Sequence, residues 1–126
     1  MTARTDGWDE INSDGQPRRR TRRINVTDRD DCYMFIKEQA YFIRDISMAG
    51  VGLVMPAKDS LMLSKVLGDI VDCRIAVERK TLTGLQYRLV YLSPAPGDNM
   101  NCGLEWVNRD DTTLKKDFRQ LIETLA

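Results

Sequence analysis

Two stretches of this chain alternate apolar and polar residues with a period of two, the pattern of β-strands with one buried face. They are "DIVDCRIAVERK" at residues 69–80 and "LQYRLVYLS" at residues 85–93. Each is predicted to be a strand, and their spacing is typical of a hairpin. The side chains predicted to share one face are Val71, Cys73, Ile75 and Val77 in the first, and Leu85, Tyr87, Leu89 and Tyr91 in the second.

Shorter apolar stretches predict further strands on either side of this pair. A strand-like run at 32–47 is interrupted by "KEQ", a candidate turn or bulge, and "PAPGDNMN" at 94–101 is a strong turn cluster. Segment 56–68 is compatible with a short helix or a covering loop. Many short strands at this spacing predict a small antiparallel barrel or sandwich. The remaining predicted strands are "INV" at 24–26, "AGVGLVM" at 49–55 and "CGLEWV" at 102–107.

The last 17 residues change to a helical period. Apolar side chains recur there at three- and four-residue intervals, which places them on one face of an amphipathic helix. Asp110, Asp111 or Thr112 can cap its start. The apolar face is expected to dock on the sheet through Leu114, Phe118, Leu121, Ile122 and Leu125.

Composition narrows the function classes. The three cysteines form no CxxC pair and the chain has no histidine, so reduced, buried thiols and no metal site are expected. No P-loop, nucleophile elbow or other catalytic motif occurs, and we predict that the protein is not an enzyme. Without an apolar leader or a run of about 20 apolar residues, a cytoplasmic protein is predicted.

Charge is unevenly distributed although the formal net charge is zero. Residues 1–17 carry a balance of −3 and are predicted to be a flexible tail, with the folded domain at 18–126. The run "RRRTRR" at 18–23 carries +5, and the rest of the chain −2. A nucleic-acid tether, a targeting signal or a phosphate clamp could each have such a run. The absence of a wider basic excess favours a small anionic ligand over a long polyanion.

A second candidate motif is "DISMAG", which contains Asp45, Ser47 and Gly50. Residues two apart in a strand share a face, so Asp45 and Ser47 are expected to present a carboxylate and a hydroxyl side by side. Gly50 is expected to adopt positive φ and turn the chain sharply. Taken alone, this pattern is also compatible with an ordinary strand end.

Together, Arg19-x-x-x-Arg23 and Asp45-x-Ser47-x-x-Gly50 resemble the two motifs of the PilZ domain family. "GLEW" at 103–106 is similar to the family's strand before its C-terminal helix, and "LGDIVDCRIAV" at 67–77 is similar to its Gly-Asp strand opening. The resemblance covers about residues 17–125. It implies a mainly β fold, a six-stranded antiparallel β-barrel with a C-terminal α-helix, and a non-catalytic receptor for cyclic di-GMP.

The ligand implied by this resemblance suits the arginines. Arginine pairs bidentately with phosphate oxygens and with guanine O6 and N7. Arg19 and Arg23 are the expected motif pair. Arg18, directly before the motif, is a candidate contact for a second ligand molecule.

The remaining site residues serve the other parts of the ligand. The Asp45 carboxylate can accept from guanine N1–H and the 2-amino group, with Ser47 completing the contact and Gly50 leaving room. The family often adds an aromatic that stacks on a guanine. Tyr91 is the candidate, with core packing as the alternative role.

Two other functions stay open on sequence grounds. One is a PilZ-like protein-interaction domain that binds no ligand, and the other is a small nucleic-acid-binding module. For the receptor, a downstream protein effector is the expected partner, and nucleic acid and membrane insertion are not expected.

Overall fold

The computed structural model describes residues 23–125. The predicted tail and the arginines from Arg18 to Arg22 lie outside these residues. Seven strands and two short helical segments precede a longer C-terminal helix. Their bounds are β1 Ile24–Asn25, β2 Cys32–Ile36, β3 Gln39–Ile46, β4 Gly50–Pro56, a 3-10 turn Ala57–Ser60, α1 Leu61–Ser64, β5 Ile70–Val77, β6 Lys80–Ala95, β7 Asn99–Trp106 and α2 Thr112–Leu125.

Six of the strands close into an antiparallel barrel, as the resemblance implied. The hydrogen-bonded order runs β3-β2-β5-β6-β7-β4, and β4 pairs back onto β3. Closure leaves the barrel strands without a free edge. The two-residue β1 is additional, and it pairs with the last residues of β3 through Ile24↔Ile46 and Asn25↔Asp45.

The barrel interior follows the alternation of the sequence. In β5 the four predicted residues of one face are buried, and in β6 Leu85, Tyr87 and Leu89 are fully buried. All three cysteines are buried free thiols. Burial raises the pKa of Cys73 and of Cys102 to about 12, so both thiols are protonated at neutral pH.

The C-terminal helix docks as predicted. Its residues Leu114, Phe118, Leu121 and Leu125 are buried, and the carboxylate of Asp111 accepts the backbone N–H of Leu114 at 3.0 Å as an N-terminal cap. Across residues 23–125, no helix is long and apolar enough to cross a membrane.

An aromatic pair anchors this helix on the barrel. Trp106 at the end of β7 packs edge-to-face on Phe118, with ring centroids 4.8 Å apart. The indole N–H is satisfied by the side-chain oxygen of Asn108 at 2.7 Å. Both rings are fully buried, so the contact between barrel and helix is dry.

β-Bulges interrupt the alternation at three places in the described strands, one of them between β5 and β6, where Cys73 pairs with Leu85 but Ile75 pairs with Leu82. In β3, Ile43 pairs with Leu53 but Asp45 pairs with Gly52, so Arg44 is an extra residue. In β6, Leu89 pairs with Leu104 but Tyr91 pairs with Gly103, so Val90 is extra. The bulges at Arg44 and Val90 each place two consecutive side chains outside the barrel before the inward pattern resumes.

Candidate functional site

The β1–β3 pairing brings the two sequence motifs together. Because Asn25 lies opposite Asp45, the preceding Arg23 is close to the same carboxylate. Arg23 Nη1 donates to Asp45 Oδ1 in a salt bridge between a half-exposed guanidinium and a mostly buried carboxylate. Residues 22 positions apart in sequence therefore form one charged pair.

A second arginine, which the sequence motifs did not single out, holds the other oxygen of this carboxylate. Arg44 Nε donates to Asp45 Oδ2 at 2.8 Å. Burial lowers the pKa of Arg44, but hydrogen bonds to Tyr91 and Asp45 outweigh burial and raise that pKa above its ordinary value. Arg44 is thus a cation held in place by Asp45.

Four residues on neighbouring strands form one row across the barrel surface. Asp45 pairs with Gly52, Gly52 with Gly103, and Gly103 with Tyr91, on strands β3, β4, β7 and β6. The middle two positions have no side chain. Arg44 covers Gly52 from one side, and the ring of Tyr91 covers Gly103 from the other.

The position of Tyr91 corrects one sequence prediction. Tyr91 does not share the face of Leu85, Tyr87 and Leu89, because the bulge at Val90 shifts the alternation by one residue. Its side chain is 42% exposed, which also excludes the core-packing alternative.

The turn after β3 corrects two further expectations. Ser47 lies beyond the end of β3 and is buried, with its hydroxyl accepting the backbone N–H groups of Ala49 at 3.1 Å and Gly50 at 3.3 Å. It therefore offers no open hydroxyl beside Asp45. Ser47 N–H donates to the carbonyl of Gly50 at 2.9 Å, which closes the turn.

Gly50 is a glycine for a different reason than the one expected. Its φ is not positive, so its backbone conformation does not require glycine. A Cβ at this position would instead collide with the carbonyl oxygen of Leu104 on β7. The close approach of two backbones fixes the residue type.

An open cleft of about 400 Å³ lies at this side of the barrel. It contains one residue of each motif, Arg23 and Gly50, together with Tyr91. Asp45 and Ser47 are not among its lining residues, although Asp45 holds Arg23 at its rim. The other lining residues are Ala49, Val51, Val90, Gly103, Leu104, Glu105 and Arg109.

The cleft suits an anion with flat, partly apolar parts. Arg23 and Arg109 supply positive charge against one carboxylate, Glu105, while Val90 and Tyr91 supply apolar surface. A larger cavity of about 460 Å³ lies elsewhere, lined by Phe35 and Arg74 among other residues, and contains none of the motif residues. Within the described part of the chain, no group of acidic, histidine or cysteine residues could hold a metal ion.

The chain is similar to a known protein family over most of its length. The family model of the PilZ domain matches residues 17–124. The chain belongs to the PilZ domain family. Among curated proteins, no sequence matches significantly.

Solved structures agree with this PilZ fold at low sequence identity. The PilZ domain of YcgR from Escherichia coli, described with c-di-GMP, is 14% identical with a TM-score of 0.63, over 86% of this chain and 91% of that one. MrkH, described as a c-di-GMP-dependent transcription regulatory factor, is 16% identical with a TM-score of 0.59, over 83% of this chain and 51% of that one. At such identity, the likeness shows the fold alone.

Sequence reasoning missed three contributors to the site: Arg44, Gly52 and Arg109. A signal for Arg44 was present, because Ile43 and Ile46 are both apolar and three apart, which breaks a period of two around "RD". The same break occurs between Leu89 and Leu92, around "VY". Such a break within a strand indicates a bulge.

Proposed function

We propose that this PilZ domain is a receptor for cyclic di-GMP that binds the ligand at the Arg23–Tyr91 cleft and catalyses no reaction. The observation that carries the proposal is the Arg23–Asp45 salt bridge, which joins the two motifs at the rim of a cleft with an exposed aromatic. Family membership, one structural neighbour described with c-di-GMP and another described as c-di-GMP-dependent support the choice of ligand.

The arginines bind the acceptor groups of the ligand. Arg19 and Arg23 take phosphate oxygens or the O6 and N7 edge of guanine, for which the planar guanidinium is matched. Arg18 adds charge next to them. Arg23 is half exposed, so it can exchange Asp45 for a ligand oxygen at small cost.

Asp45 binds the donor edge of one guanine. Its carboxylate is an acceptor only, and guanine N1–H and the 2-amino group are donors. When Arg23 turns to the ligand, Oδ1 becomes available while Arg44 keeps Oδ2 in place. Adenine presents a donor at its 6-position, so cyclic di-AMP is expected to bind poorly.

Ser47, Gly50 and Tyr91 shape the site. The Ser47 hydroxyl holds the turn through two backbone amides, and Gly50 lets β4 approach β7 closely. Tyr91 offers an exposed aromatic surface for a guanine. Receptor function then requires a downstream protein that responds to the bound state.

Isothermal titration with cyclic di-GMP tests the proposal. The full chain is expected to bind, and Arg19→Ala and Asp45→Ala should each weaken binding about tenfold to a hundredfold, since a bidentate contact to a base is worth about 1–3 kcal/mol. Arg119→Ala, an exposed arginine on α2, is the matched control and should bind like the unaltered chain.

The same titration separates the alternatives. No heat with cyclic di-GMP at high protein concentration would favour a protein-interaction domain without a ligand. Binding of a short DNA duplex that weakens steeply with salt, without a response to cyclic di-GMP, would favour a nucleic-acid module. Tight binding retained by both Arg19→Ala and Asp45→Ala would overturn the assignment of the site.

A further inference from the structure

Two glycines that face each other on neighbouring strands create a shallow floor on the barrel surface. Gly52 on β4 and Gly103 on β7 are direct partners in register. Glycine inside a strand weakens the strand and often marks a close approach of a ligand or another group. Two glycines that are direct partners therefore indicate that a flat group lies on this floor.

Two planar side chains lie on the floor. A Cβ on Gly103 would collide with Tyr91 Cε2 and would lie 2.6 Å from each of the two neighbouring ring carbons. A ring that met Gly103 with its edge would hold those two carbons farther away. The Tyr91 ring therefore lies with its face on Gly103. A Cβ on Gly52 would collide with Arg44 Nη2 and lie 3.1 Å from Cζ, so the guanidinium lies on Gly52. Because Gly52 and Gly103 are direct partners, the guanidinium and the ring are neighbours on this floor.

The outer side of this pair is open. Tyr91 is 42% exposed although one face of its ring covers Gly103, and the ring lines the cleft; the Arg44 side chain is 26% exposed and lies beside the cleft lining, not within it. Arg44 cannot move freely, because its Nε is held by Asp45 at 2.8 Å. Both bulges, at Arg44 and at Val90, serve to put these side chains outside the barrel.

We propose that Arg44 is a further ligand-binding residue, and that its guanidinium and the Tyr91 ring form one planar platform on which a guanine of the ligand stacks. This inference rests on the proposed function and adds to it a residue outside both motifs. Bases stack on aromatic rings and on guanidinium planes alike. Asp45 fixes the platform at one end, so the same carboxylate serves both the guanine edge and the stacking surface.

A substitution that removes the flat guanidinium of Arg44 but keeps its positive charge tests the platform. Arg44→Lys retains the cation but loses the flat surface, and we expect its affinity for cyclic di-GMP to fall about tenfold, the lower part of the range for one lost stacking contact. Arg74→Lys is the matched control. Arg74 also stacks on an aromatic, with Cζ 4.6 Å from the Phe35 ring centroid, but lies outside the cleft, and no loss of affinity is expected there.

A double-mutant cycle distinguishes a platform from general damage. Gly52→Ala adds a Cβ where Arg44 Nη2 lies, so alone it should weaken binding about as much as Arg44→Ala. A Cβ at Gly52 would also lie 2.8 Å from Asp45 Oδ1, so in an Arg44→Ala background the same change should still weaken binding, but by less than in the unaltered chain. Thermal unfolding of each variant checks that the barrel remains folded.

The outcomes separate the two proposals. If the unaltered chain binds no cyclic di-GMP, both the receptor function and the platform are overturned. If it binds and Arg44→Lys and Gly52→Ala bind equally well, only the platform is overturned. Additive losses in the cycle would likewise reject the platform, because Gly52 would then act independently of Arg44.

Discussion

Substitution of Gly50 tests the structural role of the turn that carries the second motif. A Cβ there would collide with the carbonyl oxygen of Leu104 and lie 3.4 Å from its carbonyl carbon. The oxygen is a backbone atom of β7, so no rotamer change relieves the clash. Gly50→Ala must therefore push β4 and β7 apart where their pairing begins, at Gly50↔Glu105.

The expected cost is that of overpacking against a rigid neighbour, about 1–3 kcal/mol. β4 is hydrogen-bonded on both sides, to β3 and to β7, so we expect the upper half of that range. For a domain of this size each kcal/mol lowers Tm by about 4–8 °C, which predicts a Tm lower by roughly 10–20 °C. Gly50→Asn should cost at least as much, because its side chain begins with the same Cβ.

Gly97 is the matched control, measured by the same thermal unfolding. It has a φ of +74°, and a Cβ there would meet its nearest neighbour at an ordinary 3.5 Å. Asn tolerates this conformation better than Ala, so Gly97→Asn should be milder than Gly97→Ala. An unchanged Tm in Gly50→Ala, or an Asn-over-Ala preference at Gly50 as at Gly97, would refute the explanation by close approach.

Two other features of the core give predictions. Phe118→Ala should lower the free energy of unfolding by about 3–5 kcal/mol in a denaturant titration, since it removes a buried ring packed on Trp106; a loss under 1 kcal/mol would contradict the docking of α2. Burial raises the pKa of Cys73 and Cys102 from 9.0 to about 12, so the unfolded chain releases these protons first. The stability of the folded state that this pKa difference provides is fully present below pH 9 and is lost as pH rises towards 12. Cys73→Ala should flatten the decline of Tm across that window, and an unchanged slope would contradict it.

The strands and the C-terminal helix could be predicted because their patterns are local. In β5, buried and exposed residues alternate with almost no exception, so the residues of this strand alone indicate which face is buried. The spacing of apolar residues in α2 likewise specifies one docking face. The closure of the barrel followed from the family resemblance, since which strands pair is a non-local property.

The bulges explain where prediction of the site was wrong. Tyr91 continues the alternation of β6 in sequence, yet the extra residue Val90 places it outside. Ser47 follows Asp45 by two positions, but β3 has already ended and its hydroxyl is used in the turn. A period-two rule holds only as long as the pairing register continues.

Other parts of the site depend on contacts across strands. Gly50 is fixed by the carbonyl of Leu104, more than 50 positions away, and no local pattern reveals that contact. The broken period around Arg44 indicates a bulge, but the position of its guanidinium over Gly52 follows only from the pairing of β3 with β4. The sequence motifs indicated where chemistry occurs, and the sheet register determined which side chains reach it.

A ¹H–¹⁵N NMR titration of the full chain with cyclic di-GMP would locate the ligand on the barrel. The amide signals of Asp45, Gly50, Tyr91 and Gly103 should shift most and saturate together. Signals around the larger cavity lined by Phe35 and Arg74 should stay in place. Shifts concentrated at that cavity, or no shifts at saturating ligand, would contradict binding at the Arg23–Tyr91 cleft.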